Sequence, residues 1–136
     1  MLAIATPIKT RLQALAALTG YDVRASTEPA DRSTVPAVDV RCAGAGVADS
    51  KTGAAMVAPE WAVTIVVRRS AAAADQLDAA FAAVFESLHG WAPGQHGGRG
   101  WERLTLQRVT EPAFADEGQA GLELTFSTGA RYMGQQ

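Results

Sequence analysis

Between Trp61 and Leu88 the period of the apolar residues changes from two to about three and a half, which dictates a strand running into a helix. Trp61, Val63, Ile65 and Val67 alternate with Ala62, Thr64, Val66 and Arg68. β-Branched residues dominate this run, as a pleated surface favours. Ser70 then caps an alanine-rich segment in which Leu77, Phe81, Val84, Phe85 and Leu88 recur at helical spacing. The pattern predicts a strand over 60–69 and a helix over 71–89 that Gly90 ends, with Phe81 as a core aromatic. Burying five such side chains stabilises by roughly 8–15 kcal/mol gross. Ordering the backbone costs at least as much, so the helix holds only by packing on the strand.

The flanking segments fit around that unit. Ile8, Leu12 and Leu15 predict a helix over about 7–19, with Thr6 as its cap, Pro7 in its first turn and Gly20 at its end. Tyr21 to Arg24 reads as a short strand, and Ser26 to Thr34, with Pro29 and Asp31, as a polar loop. Val38 and Val40 alternate with Asp39 and Arg41 as a half-buried strand. From 43 to 55 the only large side chains are Val47 and Lys51, so burial can fix nothing there. The expectation is a mobile loop at about 43–57, marked by Gly44, Gly46, Lys51 and Gly53. A second glycine-rich loop, 90–101, is bracketed by Trp91 and Trp101. Leu104 and Leu106, then Leu122, Leu124 and Phe126, alternate as two late strands. The order implies one α+β domain over 1–136, a mainly antiparallel sheet with two helices packed on one face.

Composition narrows the function. Of 136 residues 28 are alanine, which leaves larger apolar side chains for one core only. The net charge is −2 and no basic block stands out, so sequence-specific nucleic-acid binding is not expected. No apolar run approaches the ~18–20 residues of a membrane helix. The start, Met1 to Pro7, lacks the charged and apolar regions of a secretory signal. Cys42 is alone, which rules out an intrachain disulfide and fits a reducing compartment. His89 and His96 have too few companions for a zinc site. Gly97 to Gly100 lacks the lysine and hydroxyl of a phosphate loop and leads into a strand. The carboxylates are scattered. No catalytic, cofactor-binding or metal residue is assigned, and the balance is against an enzyme. Trp91 and Trp101 read either as lids over the core or as subunit contacts, since tryptophan is enriched at interface centres.

Taken together, several phrases resemble one family. They are Ile8-Lys-Thr-Arg-Leu-Gln-Ala-Leu, Trp61-Ala-Val-Thr-Ile-Val-Val-Arg, Leu77-Asp-Ala-Ala-Phe, Leu88-His-Gly-Trp, Leu104-Thr-Leu, Val109-Thr-Glu-Pro and Gly121-Leu-Glu-Leu-Thr-Phe. In this order they are similar to the tail-terminator proteins of long-tailed bacteriophages and prophages, over nearly the whole chain. The resemblance implies a structural virion protein, placed at the neck and assembled in the host cytoplasm. Such a protein forms a ring, usually six-membered, that ends tail-tube polymerisation and offers a surface to the head-completion protein. A head–tail connector or another minor tail protein is the alternative, and a small enzyme or ligand-binding domain a remoter one. A ring needs two unlike patches on each copy. The expected interface residues are Thr64 and Arg68 on the sheet's outer face and Trp91 and Trp101 in the second loop.

Overall fold

The computed structural model describes residues 1–51, 53–114 and 116–135. Along the chain the elements are α1 (Ala5–Gln13), β1 (Asp22–Ala25), β2 (Ala37–Lys51), β3 (Ala54–Arg68), α2 (Ala73–Leu88), β4 (Gly94–His96), β5 (Arg99–Trp101), β6 (Thr105–Thr110), β7 (Gln119–Ser127) and β8 (Ala130–Met133). Single 3-10 turns at Leu2–Ile4 and Ala16–Leu18 flank α1.

β3 organises the sheet. Along one edge it pairs antiparallel with β2, from Ala37 opposite Val66 to Lys51 opposite Ala54. Its other edge is shared: β7 pairs with Glu60 to Arg68, and β8 with Ala54 to Val57. β6 adds antiparallel to β7, and β1 adds parallel to β2 at the far edge. The register puts Val40, Val63 and Leu124 in one row, and Val38, Ile65 and Leu122 in the next. These rows face the helices. Ile8 and Leu12 of α1 and Leu77, Val84 and Leu88 of α2 close the core over them. The fold is α+β, with the two helices on one face of a mainly antiparallel sheet.

Several local expectations are corrected. α1 starts at Ala5 and ends at Gln13, because a 3-10 turn seats Ile4 in the core ahead of it. Thr6 is therefore no cap, and Pro7 lies in the first turn, where its missing N–H costs nothing. The buried stripe of α2 is Ala73, Leu77, Ala80, Val84, Ser87 and Leu88. Phe81 and Phe85 are half-buried on its flank, with ring centroids 6.2 Å apart. Small alanines on the stripe let the helix lie closer to the sheet than phenylalanines would. The loop expected at 43–57 is instead the distal half of the β2–β3 hairpin, because the backbone ladder needs no large side chain. Residues 94–101 also pair, as a hairpin closed by Gly97 and Gly98 at φ 64° and 79°. That is the geometry the favoured two-residue hairpin turn requires.

Removing a ring should separate the core from its flank. Phe126 is fully buried, so Phe126→Ala should cost about 3–5 kcal/mol in denaturant unfolding. Half-buried Phe81→Ala should cost only about 1–2 kcal/mol. Equal losses would place Phe81 in the core after all.

Candidate assembly surfaces

The sheet's outer face is a lattice of charge. Register sets Arg24 beside Asp39, Asp39 beside Thr64 and Thr64 beside Glu123. Arg24 is 4% exposed. Its Nε and Nη2 donate to the two Asp39 oxygens at 2.7 and 3.2 Å. Nη1 donates to the carbonyls of Asp31 and Thr34 at 2.6 and 3.1 Å. One guanidinium thus pins the connection between two parallel strands, which otherwise has no element of its own. The Asp39 hydrogen bond holds the Arg24 pKa further above its ordinary value. Beside it, Thr64 Oγ1 donates to Glu123 at 2.9 Å and Arg41 approaches the same carboxylate. Arg108 pairs with Glu60 at 3.1 Å. Thr64 therefore spends its hydroxyl within the chain and is buried, whereas Arg68 stands exposed at the end of β3.

At the same level Gly121 lets the Phe114 ring cover the outer face. A Cβ on it would strike the Ile65 carbonyl and meet Phe114 Cζ at 2.8 Å.

The two tryptophans divide. Trp101 is 5% exposed; its Nε1 donates to the His96 carbonyl at 3.0 Å, and its ring meets Tyr132 edge-on. It is a core lid, with little surface to offer a neighbour. Trp91 stays half-buried under the Arg11 guanidinium, 4.7 Å from the ring centroid. Arg11 Nε donates to the Ser87 carbonyl at 2.8 Å, and Arg103 to that of Gly90 at 2.7 Å. α2 has no basic residue in its own last turn, so Arg11 from α1 satisfies a carbonyl of that turn and Arg103 one just beyond the cap. His89 stacks on Phe85 and accepts the Leu106 N–H through Nδ1 at 3.1 Å. His96 lies against the Pro93 carbonyl, and Cys42 Sγ lies 3.5 Å from the Gly44 carbonyl. Among the described residues no three of His, Cys, Asp or Glu converge on one point.

Two apolar surfaces remain. A mostly apolar groove of about 920 Å³ runs between α1 and α2, walled by Ala3, Pro7, Thr10, Ala14 and Ala83, with Arg11 and Glu86 also on its lining. The other is the distal β2–β3 arm, which carries Gly44 and Gly46 in β2, Lys51 at its end and Gly53 in the turn. Sequence reasoning missed the groove, Arg11 and Arg24. A lone arginine in an alternating strand gives no sign that its partners are backbone carbonyls across a turn.

The sequence matches no family model and no curated protein. Among solved structures it is similar to a chain of the virion of a native gene transfer agent particle. The TM-score is 0.69 at 20% identity, over 96% of each chain. The two chains share a fold.

Removal of the Arg24 side chain takes the side-chain donor from the Thr34 carbonyl and from part of Asp39, although the Asp31 carbonyl keeps the Thr34 N–H at 3.2 Å and Arg32 still reaches Asp39 at 2.9 Å. Arg24→Ala should cost about 2–3 kcal/mol in denaturant unfolding, and a loss below ~0.5 kcal/mol would show the connection holds by itself. Nearby, the Ser33 hydroxyl and N–H hold the Asp31 carboxyl below its ordinary 3.8. A lowered carboxylate value adds stability above the ordinary value and loses it as pH falls through the lowered one. NMR titration should show the Asp31 midpoint rise in Ser33→Ala; an unchanged midpoint would refute the hydrogen bond's role.

Proposed function

We propose that the protein is a structural component of a phage-like particle and acts as a tail terminator. In this reading copies assemble into a ring, six-membered as the resemblance implies. The ring seats on the head-proximal end of the tail tube, stops its growth and presents a face to a head-completion protein. The observation that carries the reading is the end-to-end fold likeness to a chain of a gene transfer agent virion. Two unlike apolar surfaces on one chain support it, because a ring repeats one head-to-tail contact until it closes. Two standard patches of ~800 Å² each would take about a fifth of the 7403 Å² accessible surface. The interface is proposed to include Arg68 and Trp91, which keep surface, more than Thr64 and Trp101.

The test is to add purified protein to tail tubes while they elongate. A terminator halts growth and appears in electron micrographs as one ring at one tube end. Tubes that lengthen at the control rate, or protein that binds only the head portal, would reassign it to the connectors.

A further inference from the structure

Two strand edges are left open. β1 reaches only to Val40, so β2 beyond Arg41 has no strand partner on its outer edge among the described residues. β6 ends the sheet on the other side. Its approach is covered, since Leu104 exchanges backbone bonds with Gly90 and Trp91 and the Leu106 N–H goes to His89. Beyond Leu106 no described strand lies against it.

The register says which backbone groups face outward. The Pro59 carbonyl accepts the Thr128 N–H, so Pro59 faces the β7–β8 edge of β3 and not β2. Ala45 lies opposite Pro59 and therefore turns its N–H and C=O to the open edge; Val47, two residues on, does the same. On β6 the bulge between Leu106 and Arg108 adds one residue to the alternation. Leu106 faces outward before it, Val109 and Glu111 after it. The same positions carry uncovered side chains. Val47 is 63% and Val109 40% exposed, two of the five large apolar residues so exposed among the described residues. Both point to the helix side of the sheet, Val47 beside Val57 and Val109 beside Leu124.

β2 and β6 run in opposite directions within the sheet. A copy set alongside in the same orientation thus brings its β2 antiparallel to β6, which is a head-to-tail contact. We infer that the distal edge of β2 in one copy pairs with the open end of β6 in a second copy of this chain, Val47 opposite Val109 and Ala45 opposite Glu111, so that the sheet continues from copy to copy. The inference rests on the ring reading and names its repeating contact. Through β7, Val109 is level with Val63, whereas Val47 is level with Val57. Each copy is therefore displaced by six residues, ~20 Å, along the strands for every four strands, ~19 Å, across them. Strands so staggered lie at about 45° to the ring axis, the upper end of the tilt that closed barrels adopt. An odd displacement would turn Val47 to the wrong face. Main-chain bonds carry the contact, and the nearby cations are directed elsewhere. Arg108 turns back to Glu60, and Arg99 lies over Tyr132 on β8, across β3 from this edge. The contact is short, so it holds where several copies are gathered.

The test uses the full chain with Cys42→Ser. Val47→Cys combined with Val109→Cys, assembled on tubes or at high concentration and then oxidised, should give a ladder of disulfide-linked oligomers up to the closed ring. Val47→Cys with Thr105→Cys, which the register holds apart, should give none. Separately, Val47→Pro removes an outward N–H that no bond of the monomer uses. It should leave monomer melting nearly unchanged and raise the concentration needed for assembly roughly tenfold or more. Rings that form without the 47–109 disulfide, and at wild-type concentration in Val47→Pro, would overturn the edge pairing and leave the ring reading standing. A disulfide between two copies of Val47→Cys alone would show the arms paired two-fold and overturn it as well. No ring in the wild type, on tubes or at high concentration, would overturn both.

Discussion

One constraint governs the molecule: β3 is fifteen residues long, and the layers that cover it are not. From Trp61 to Val67 it is buried on both faces, by helices beneath and by the ion-pair lattice above. From Ala54 to Ala58 it is only half-covered. The same strand therefore changes character at Pro59. Its inner half takes β-branched and aromatic residues because neighbours fill both sides. Its outer half takes alanine, methionine and valine, because backbone pairing and the one-sided cover of β8, through Ala130 and Tyr132, hold it.

The body is held by long-range capping as much as by apolar burial. Arg11 joins α1 to the end of α2, Arg103 joins the start of the late strands to the same end, and Arg24 ties the 26–36 connection to β2. Each guanidinium satisfies carbonyls that their own elements leave open. Ionised donors make such bonds stronger than neutral ones, roughly 1.5–3 kcal/mol each. Lysine would not substitute, since it lacks the planar fork that reaches Asp39 and two carbonyls at once.

Side-chain period made the centre of the fold legible in the sequence. Trp61 to Val67, Leu122 to Phe126 and the spacing of Leu77, Val84 and Leu88 fixed a sheet with helices on one face. What stayed hidden lacked a side-chain signal. Ala43 to Ala48 forms a strand through its backbone alone, and alternation cannot be seen when every residue but Val47 is small. The stripe on α2 was read through its largest residues, Phe81 and Phe85, whereas close packing selected Ala73 and Ala80. Trp101 could be lid or contact by composition, and its bond to His96 decided for the lid. The groove arises from two helices distant in sequence, which no local pattern announces.

The sheet's edges are treated unequally. An edge strand with open N–H and C=O groups invites pairing with any other strand. At β1 the 26–36 connection and Arg24 crowd the edge, and β6 carries Arg108. β2 beyond Arg41 has no strand partner on that edge among the described residues, and every residue from Ala43 to Ala48 is uncharged. Glycines at 44 and 46 and the bulge at Cys42–Gly44 weaken that edge as a template by twisting it and removing side chains that could pack. The edge is open yet sticks poorly. A surface of this kind gains little from one encounter and much from several held in register.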